Sequence, residues 1–569
     1  MKRFTFGTPE SAVPSTFCRN FRYEETNIAY PADRIHFRIS ARGCELFLPL
    51  AENEQIYGMG LQLKAFNLRG KKMTLRVNAD PVAPTGDSHA PVPFFVSTAG
   101  YGVYVDTARQ AEFDFGSSQR LGASVSHSDR AIAVSTDELY AHREEGASHI
   151  GIHIPHVQGV TIYILEGDTI TDIVSQYNRL SGGGCAVPEW GLSPMYRCYS
   201  RYTQNQVLAL AKTFRQEEYA VGIIGLEPGW QTHTYSCSYL WDTDRFPTPQ
   251  NLLNELKQMD YHVNLWEHAF VHPSSPIFAD IAPYSGDYSV WEGAVPDFSL
   301  SRARQIFADH HKQIVRTGVD GFKLDECDGS DYTGSWSFPN HSQFPSGLDG
   351  EQYHALFGTL YMQTMLEALS GQPTLSQVRN AGALAASYPF VLYSDLYDHP
   401  DFIRGCATAG FSGLLWSPEV RHANSAEEFI RRLQCNVFSV QCLINAWYCE
   451  DMPWLAHGCA EQVKELLSLR MRIIPMLQAA FDRYHKTGIP PVRALVCDYT
   501  DDPETWNLDN EYIFCDSLLV APIPAGQTGR NVYLPQGQWR NFFTHEVVPA
   551  GHFTVETDGI PVYEKQPDR

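Results

Sequence analysis

Gly321-Phe322-Lys323-Leu324-Asp325-Glu326-Cys327-Asp328 sets three acids within four residues, behind a short and largely apolar approach from Val319 to Leu324. A carboxylate brought near a core must be solvated, paired or protonated, so a buried strand ending in acids puts them to use. Further along, Tyr388-Pro389-Phe390-Val391-Leu392-Tyr393 ends in Ser394-Asp395. Two acids at the C-terminal ends of two strands are what two-carboxylate glycoside chemistry needs. One carboxylate attacks the anomeric carbon as an ion. The other, protonated at rest, gives its proton to the leaving oxygen and later takes one from water. A retaining pair stands about 5 to 5.5 Å apart. Asp325 is the candidate nucleophile and Asp395 the candidate acid/base. Glu326 is an alternative nucleophile, but its side chain should face away from Asp325 if strand geometry persists. Asp328 is expected to cap the turn into Gly329-Ser330.

Strand ends need a scaffold, and the chain supplies one. Residues 1–185 are β-rich, with runs at His36–Ile39, Gly102–Val105 and Val160–Ile164, and predict a β-sandwich. Gly182-Gly183-Gly184, followed by Pro188, marks a domain entrance. Over 186–488 the texture changes. Helical periodicity at 204–218, 249–259, 302–317 and 351–369 alternates with apolar runs at 221–226, 262–266, 321–324 and 390–393. That alternation predicts a parallel sheet closed as a (β/α)8 barrel, whose chemistry sits where strands end. Polar residues do follow the strands: Glu227, then Glu267 and His268, then Asp325, then Asp395. A last long helix spans 461–484, and short strands within 489–569 predict a small C-terminal β domain.

Several stretches together resemble glycoside hydrolase family 31, the retaining α-glycosidases, from about Gly58 to Val562. They are Gly58-Met59-Gly60-Leu61-Gln62, Pro93-Phe94-Phe95-Val96-Ser97 with Gly100-Tyr101-Gly102-Val103, Gly410-Phe411-Ser412-Gly413 with Trp416-Ser417-Pro418-Glu419, and Leu518-Leu519-Val520-Ala521-Pro522. The resemblance implies that Asp325 is the nucleophile on the fourth barrel strand and Asp395 the acid/base. It also implies that Arg379 belongs to the sugar pocket. Lys323 or Arg379 would hold the nucleophile ionised, and burial near Tyr393 or Trp416 would raise the acid's pKa. The chain departs from the family pattern where sugar hydroxyls are gripped. Glu227 and Trp230 stand in place of an aspartate-rich segment, Asn445 in place of a histidine, and Glu419 in place of an aspartate. Those departures shift the expected substrate away from the common α-1,4-glucoside. The chain resembles a subgroup of the family that acts on α-galactosides, has comparable size and departs in this region, so terminal α-galactosides come first, with α-glucosides, α-xylosides or transglycosylation as alternatives.

Other residues keep two readings. Glu227 is a site residue or the partner of an arginine. Trp266 is a stacking wall or core, and His268 a ligand grip or a loop histidine. Trp416 is expected at the sugar, and Glu419 there or beside Arg379. The bulk numbers exclude other classes. A net charge of -22 with a pI near 5.4 disfavours nucleic acid and anionic membranes, which attract basic surfaces. No apolar run reaches the length of a membrane span and no secretory leader is visible, so a cytoplasmic location is expected. The 13 cysteines carry no paired C-x-x-C, and Cys435, Cys442 and Cys449 are expected to be buried thiols. No cofactor is implied, because protons, water and two carboxyls suffice. The partner is a small glycoside or oligosaccharide, and a homo-oligomer is compatible with the sequence. A carbohydrate-binding protein on a dead hydrolase scaffold is the non-enzymatic rival; it would be expected to lack one of the two acids.

Overall fold

A computed structural model describes residues 1–79, 81–118 and 149–567. Two five-stranded antiparallel sheets open the chain. One orders Lys2–Thr8, Gln158–Glu166, Tyr101–Asp106, Pro91–Ser97 and Ile56–Gly60; the other runs from His36–Ser40 to Lys72–Thr74. His149–Pro155 shows why they stack: Ile150, Ile152 and Ile154 are buried and their neighbours are not, the period of a strand with one covered face. The β-sandwich expected from the sequence is present.

The barrel follows. Met195–Arg197, Ile223–Leu226, His262–His268, Gly321–Asp325, Ser376–Val378 and Phe390–Leu392 pair in parallel, and Leu443–Asn445 pairs back onto Met195–Arg197. The circle closes through residues 416–420, which bridge Leu392 at Trp416 and Ile444 at Val420. Helices outside and side chains inside cover both faces, so all residues of Gly321–Asp325 are buried. The outer helices begin where capping chemistry allows. Thr203 and Gln206 cap each other reciprocally at the start of Gln204–Gln216, and Asp349 accepts from Gln352 N at the start of Gly350–Leu369. The long Ala460–Thr487 helix stops at Gly488, whose φ of 80° only glycine adopts cheaply.

A six-stranded sheet and a hairpin of Gly529–Leu534 with Gly551–Glu556 end the chain around Leu519, Val532 and Trp539. The N-terminal sandwich packs on the barrel beside the segment that leads into residues 416–420. Gly60 N donates to Ser412 Oγ at 3.0 Å, and Tyr57 stacks on Phe411 at 5.1 Å. Gly60 has φ 89°, and a Cβ there would stand 2.1 Å from Ala90 O, so this contact requires glycine. All the cysteines are free and all but Cys449 are buried. No helix among the described residues is long and apolar enough to cross a membrane.

Candidate active site

The Gly321–Asp325 strand aims Lys323 and Asp325 to one side, as a spacing of two dictates. Asp325 is 7% exposed. Its Oδ2 accepts from Trp266 Nε1 at 2.6 Å, and its Oδ1 accepts from the backbone N–H of Glu326 at 2.9 Å. Arg379 Nη1 lies 3.5 Å from Oδ1, and Lys323 Nζ lies 4.0 Å from Oδ2. Asp395 follows the Phe390–Leu392 strand. Its side chain is 53% exposed, and its Oδ2 accepts from the same Arg379 Nη1 at 2.5 Å. The 3.5 and 2.5 Å legs hold the two oxygens within about 6 Å of each other, close to the separation of a retaining pair. Both acids line one cavity of about 580 Å³ with Glu227, Trp266, Lys323 and Glu326. Tyr235 and Trp447, 46% and 38% exposed, stand at its mouth.

The charges at the floor are paired. Glu227 meets Lys323 Nζ at 3.4 Å and also accepts from Arg197 Nε. Arg197 Nη1 continues to Asn264 Oδ1 at 2.6 Å and Gln377 Oε1 at 2.9 Å. Asp328 is fully buried and accepts on Oδ2 from Arg379 Nε at 3.0 Å and from His89 Nδ1 at 2.7 Å. Desolvation raises its pKa, but Arg379 and His89 outweigh that and hold the carboxyl below the usual range.

Three family models cover this chain. Residues 185–480 match the TIM-barrel domain of glycosyl hydrolases family 31, residues 488–567 its C-terminal domain, and residues 32–114 its N-terminal galactose mutarotase-like domain. The chain belongs to glycosyl hydrolase family 31. That places it among the glycosidases. It is 24% identical to Alpha-glucosidase 2 of Bacillus thermoamyloliquefaciens, covering 91% of this chain and 68% of that one. It is 23% identical to an alpha-xylosidase of Emericella nidulans, over 90% and 66%. The structure of a Flavobacterium johnsoniae GH31 dextranase complexed with glucose superposes with a TM-score of 0.80 at 19% identity, over 93% of this chain and 67% of that one. A GH31 alpha-xylosidase from a soil metagenome, complexed with xylose, superposes at 0.76 and 19% identity, over 94% and 81%. The family 31 chain thus spans about two thirds of the length of the curated relatives it matches.

Several expectations need correction. Glu326 does not face away. The strand stops at Asp325, and Glu326 takes the left-handed conformation at φ 55°, which brings its side chain to the cavity wall. Burial and the charge of Asp325 push its carboxyl well above the usual range, against the opposing pull of Arg379. The pKa of Asp395 is not raised. Desolvation acts upward, but Arg379, Lys323 and Arg421 together hold this carboxyl below the usual range. Tyr393 lies beneath two of those cations, its ring centroid 4.7 Å from Lys323 Nζ and 5.6 Å from Arg379 Cζ, and the buried Trp416 turns its Nε1 to Phe402 O at 3.2 Å. Asp328 pairs with His89 and Arg379 instead of capping the turn; Ser330 N bonds Thr333 Oγ1 there.

Of the residues expected at the sugar, Glu227, Trp266 and Lys323 line the cavity, and Arg379 reaches both acids from below. Trp230, His268, Trp416, Glu419 and Asn445 are buried behind that wall and do not line it. Trp230 Nε1 holds Trp266 O at 2.7 Å. His268 Nε2 lies 3.0 Å from Thr234 O, and burial lowers its pKa to about 3, so the ring is neutral. Glu419 pairs with Arg421 at 2.9 Å, not with Arg379, and accepts from Asn445 Nδ2 at 3.1 Å. Sequence reasoning missed His89, Arg197 and the 231–235 loop. Arg421 was visible only as the residue after Glu419-Val420.

Proposed function

We propose that this chain is an exo-acting retaining α-glycoside hydrolase, with Asp325 as nucleophile and Asp395 as general acid/base. The observation that carries the reading is the pair of carboxylates on one cavity, both within reach of Arg379 Nη1. A terminal pyranose would sit against Trp266, with its anomeric carbon over Asp325. Asp325 displaces the leaving oxygen while Asp395 protonates it, and Asp395 then draws a proton from the water that frees the sugar. The half-exposed Asp395 stands where a leaving group departs to solvent. The buried floor of Glu227 and Lys323 closes the opposite end, which suits cleavage of a terminal unit.

The substrates named for the relatives are α-glucosides and α-xylosides, which now lead. The α-galactoside expectation rests only on the sequence departures around Glu227, Glu419 and Asn445. Tyr235 and Trp447 offer an apolar ledge at the mouth, so transfer to a sugar acceptor is the second reading. The test is a panel of nitrophenyl α-gluco-, α-xylo- and α-galactosides, with the first-formed anomer followed by NMR. Release of the α-anomer supports the reading. An inert panel, or the β-anomer as first product, overturns it. Product lengthening at high substrate identifies transfer.

A further inference from the structure

His89 comes from the N-terminal sandwich, between the short strand Asp87–Ser88 and Pro91–Ser97, and is wholly buried beside the barrel's catalytic end. Both ring nitrogens are used. Nδ1 lies 2.7 Å from Asp328 Oδ2 and Nε2 lies 2.7 Å from Ser394 Oγ. A consistent arrangement of protons fits both contacts. Leu396 N–H donates to Ser394 Oγ at 3.1 Å, so the hydroxyl proton is free to go to Nε2, and Nδ1–H donates to the Asp328 carboxylate. That carboxylate also accepts from Arg379 Nε at 3.0 Å, which leaves Nη1 of the same guanidinium facing Asp325 and Asp395. Ser394 is the residue immediately before Asp395. The contacts form a ring: His89 to Asp328, to Arg379, to Asp395, through the backbone to Ser394, and back to His89.

We propose that His89 is a positioning residue for the acid/base, supplied by the N-terminal domain, which pins the loop bearing Asp395 on one side and the arginine between the two acids on the other. This inference rests on the glycosidase reading. A buried ring bonded on both nitrogens has no freedom to turn, so the two strand ends it ties are fixed relative to each other. The geometry that matters is that of Asp395. Proton donation to a leaving oxygen tolerates little displacement, whereas attack by Asp325, held separately by Trp266 and its own strand, does not depend on Ser394.

The two bonds can be cut separately. An asparagine amide reaches the position of Nδ1 but not that of Nε2, so His89→Asn keeps Asp328 and releases Ser394. The expected result is a fall of about tenfold in kcat/KM for alkyl α-glycosides, carried by kcat with KM unchanged, and no loss for dinitrophenyl α-glycosides, whose leaving group needs no proton. Ser394→Ala removes the same bond from the other side and should give the same signature; it decides the matter if His89→Asn does not fold. His89→Ala frees Arg379 as well, and both substrate classes should suffer. An active wild-type chain whose His89→Asn and Ser394→Ala variants lose equally on both classes, or lose nothing, overturns the inference alone. An inert wild-type chain removes the glycosidase reading and this inference with it.

Discussion

Replacing Asp395 by asparagine keeps the shape of the side chain and removes its charge and its proton. Little else should change. The carboxylate is 53% exposed, so its pair with Arg379 is screened by water. Arg379 retains Asp328 at 3.0 Å and Asp325 at 3.5 Å. Stability is therefore expected to move by less than about 1 kcal/mol, and any large loss of activity belongs to the chemistry. A positioned general acid is worth roughly 10² to 10⁴ in rate, or about 2.7 to 5.4 kcal/mol at 1.36 kcal/mol per tenfold. An alkyl α-glycoside, whose oxygen cannot leave unprotonated, should show that whole loss in kcat/KM. A dinitrophenyl α-glycoside should not, because its first step needs no acid. Its second step still needs a base, so the glycosyl-enzyme accumulates, seen as a burst of phenolate and a lowered KM. Azide needs no deprotonation and should release the sugar as the α-azide. Equal losses on both substrate classes, with no acceleration by azide, would refute the role given to Asp395.

The other predictions are shorter. Asp325→Asn should abolish turnover, and azide should not restore it as an α-product; normal activity in that variant removes Asp325 from the nucleophile's role. Arg379, Lys323 and Arg421 hold the Asp395 carboxyl low, and a bound sugar that draws Arg379 to its hydroxyls should let it rise. Protonated Asp395 is the active form in the first step and is lost as pH rises through its pKa. The alkaline limb of kcat should therefore lie above that of kcat/KM, and coincident limbs count against the idea. Glu326 has its pKa raised by burial and by Asp325, Asp328 and Asp395, with Arg379 opposing. A raised carboxyl contributes its full stability below its unfolded pKa and loses it as pH rises toward the folded pKa. Glu326→Gln, which cannot ionise, should match the wild type in acid and exceed it in denaturant midpoint near neutrality; equal midpoints at both pH values contradict this.

The sequence made the scaffold legible wherever an element was long enough to show a period. The helix predicted over 351–369 is Gly350–Leu369, and the one predicted over 302–317 is Ser301–Arg316. Met195–Arg197, Ser376–Val378 and Leu443–Asn445 escaped because three buried residues carry no period, whereas the equally short Phe390–Leu392 was legible because its apolar run extends from Tyr388 to Tyr393. The two candidate acids were legible because each stands at the end of an apolar run. Their surroundings were not. Glu326 was assigned to the wrong face because alternation was continued one residue past the strand, and the left-handed turn there has no marker in Glu-Cys-Asp. The environment of Asp395 was misjudged because nearby aromatics were visible in the sequence, whereas the three cations that dominate it arrive from the 379, 323 and 421 positions by folding. His89 had no signal at all: a single histidine in an N-terminal loop reveals nothing until the loop lands beside Asp328 and Ser394.

Arg379 explains why the cavity tolerates so many acids. Its guanidinium faces Asp328, Asp325 and Asp395 at 3.0, 3.5 and 2.5 Å, so one cation is shared among three carboxylates. Buried charge must be paired or protonated, and a single arginine cannot neutralise three anions and a fourth carboxyl beside them. Lys323 is shared with Glu227 and Arg421 with Glu419, although both also lower the Asp395 carboxyl. Burial and the charge of Asp325 push the Glu326 carboxyl up, while Arg379, Lys323 and Arg421 pull that of Asp395 down. A general acid at position 395 requires the opposite direction for its carboxyl. A pyranose whose hydroxyls took up Arg379 would remove that stabilisation of the Asp395 carboxylate, so the contact that recognises the sugar would also prepare the acid that cleaves it.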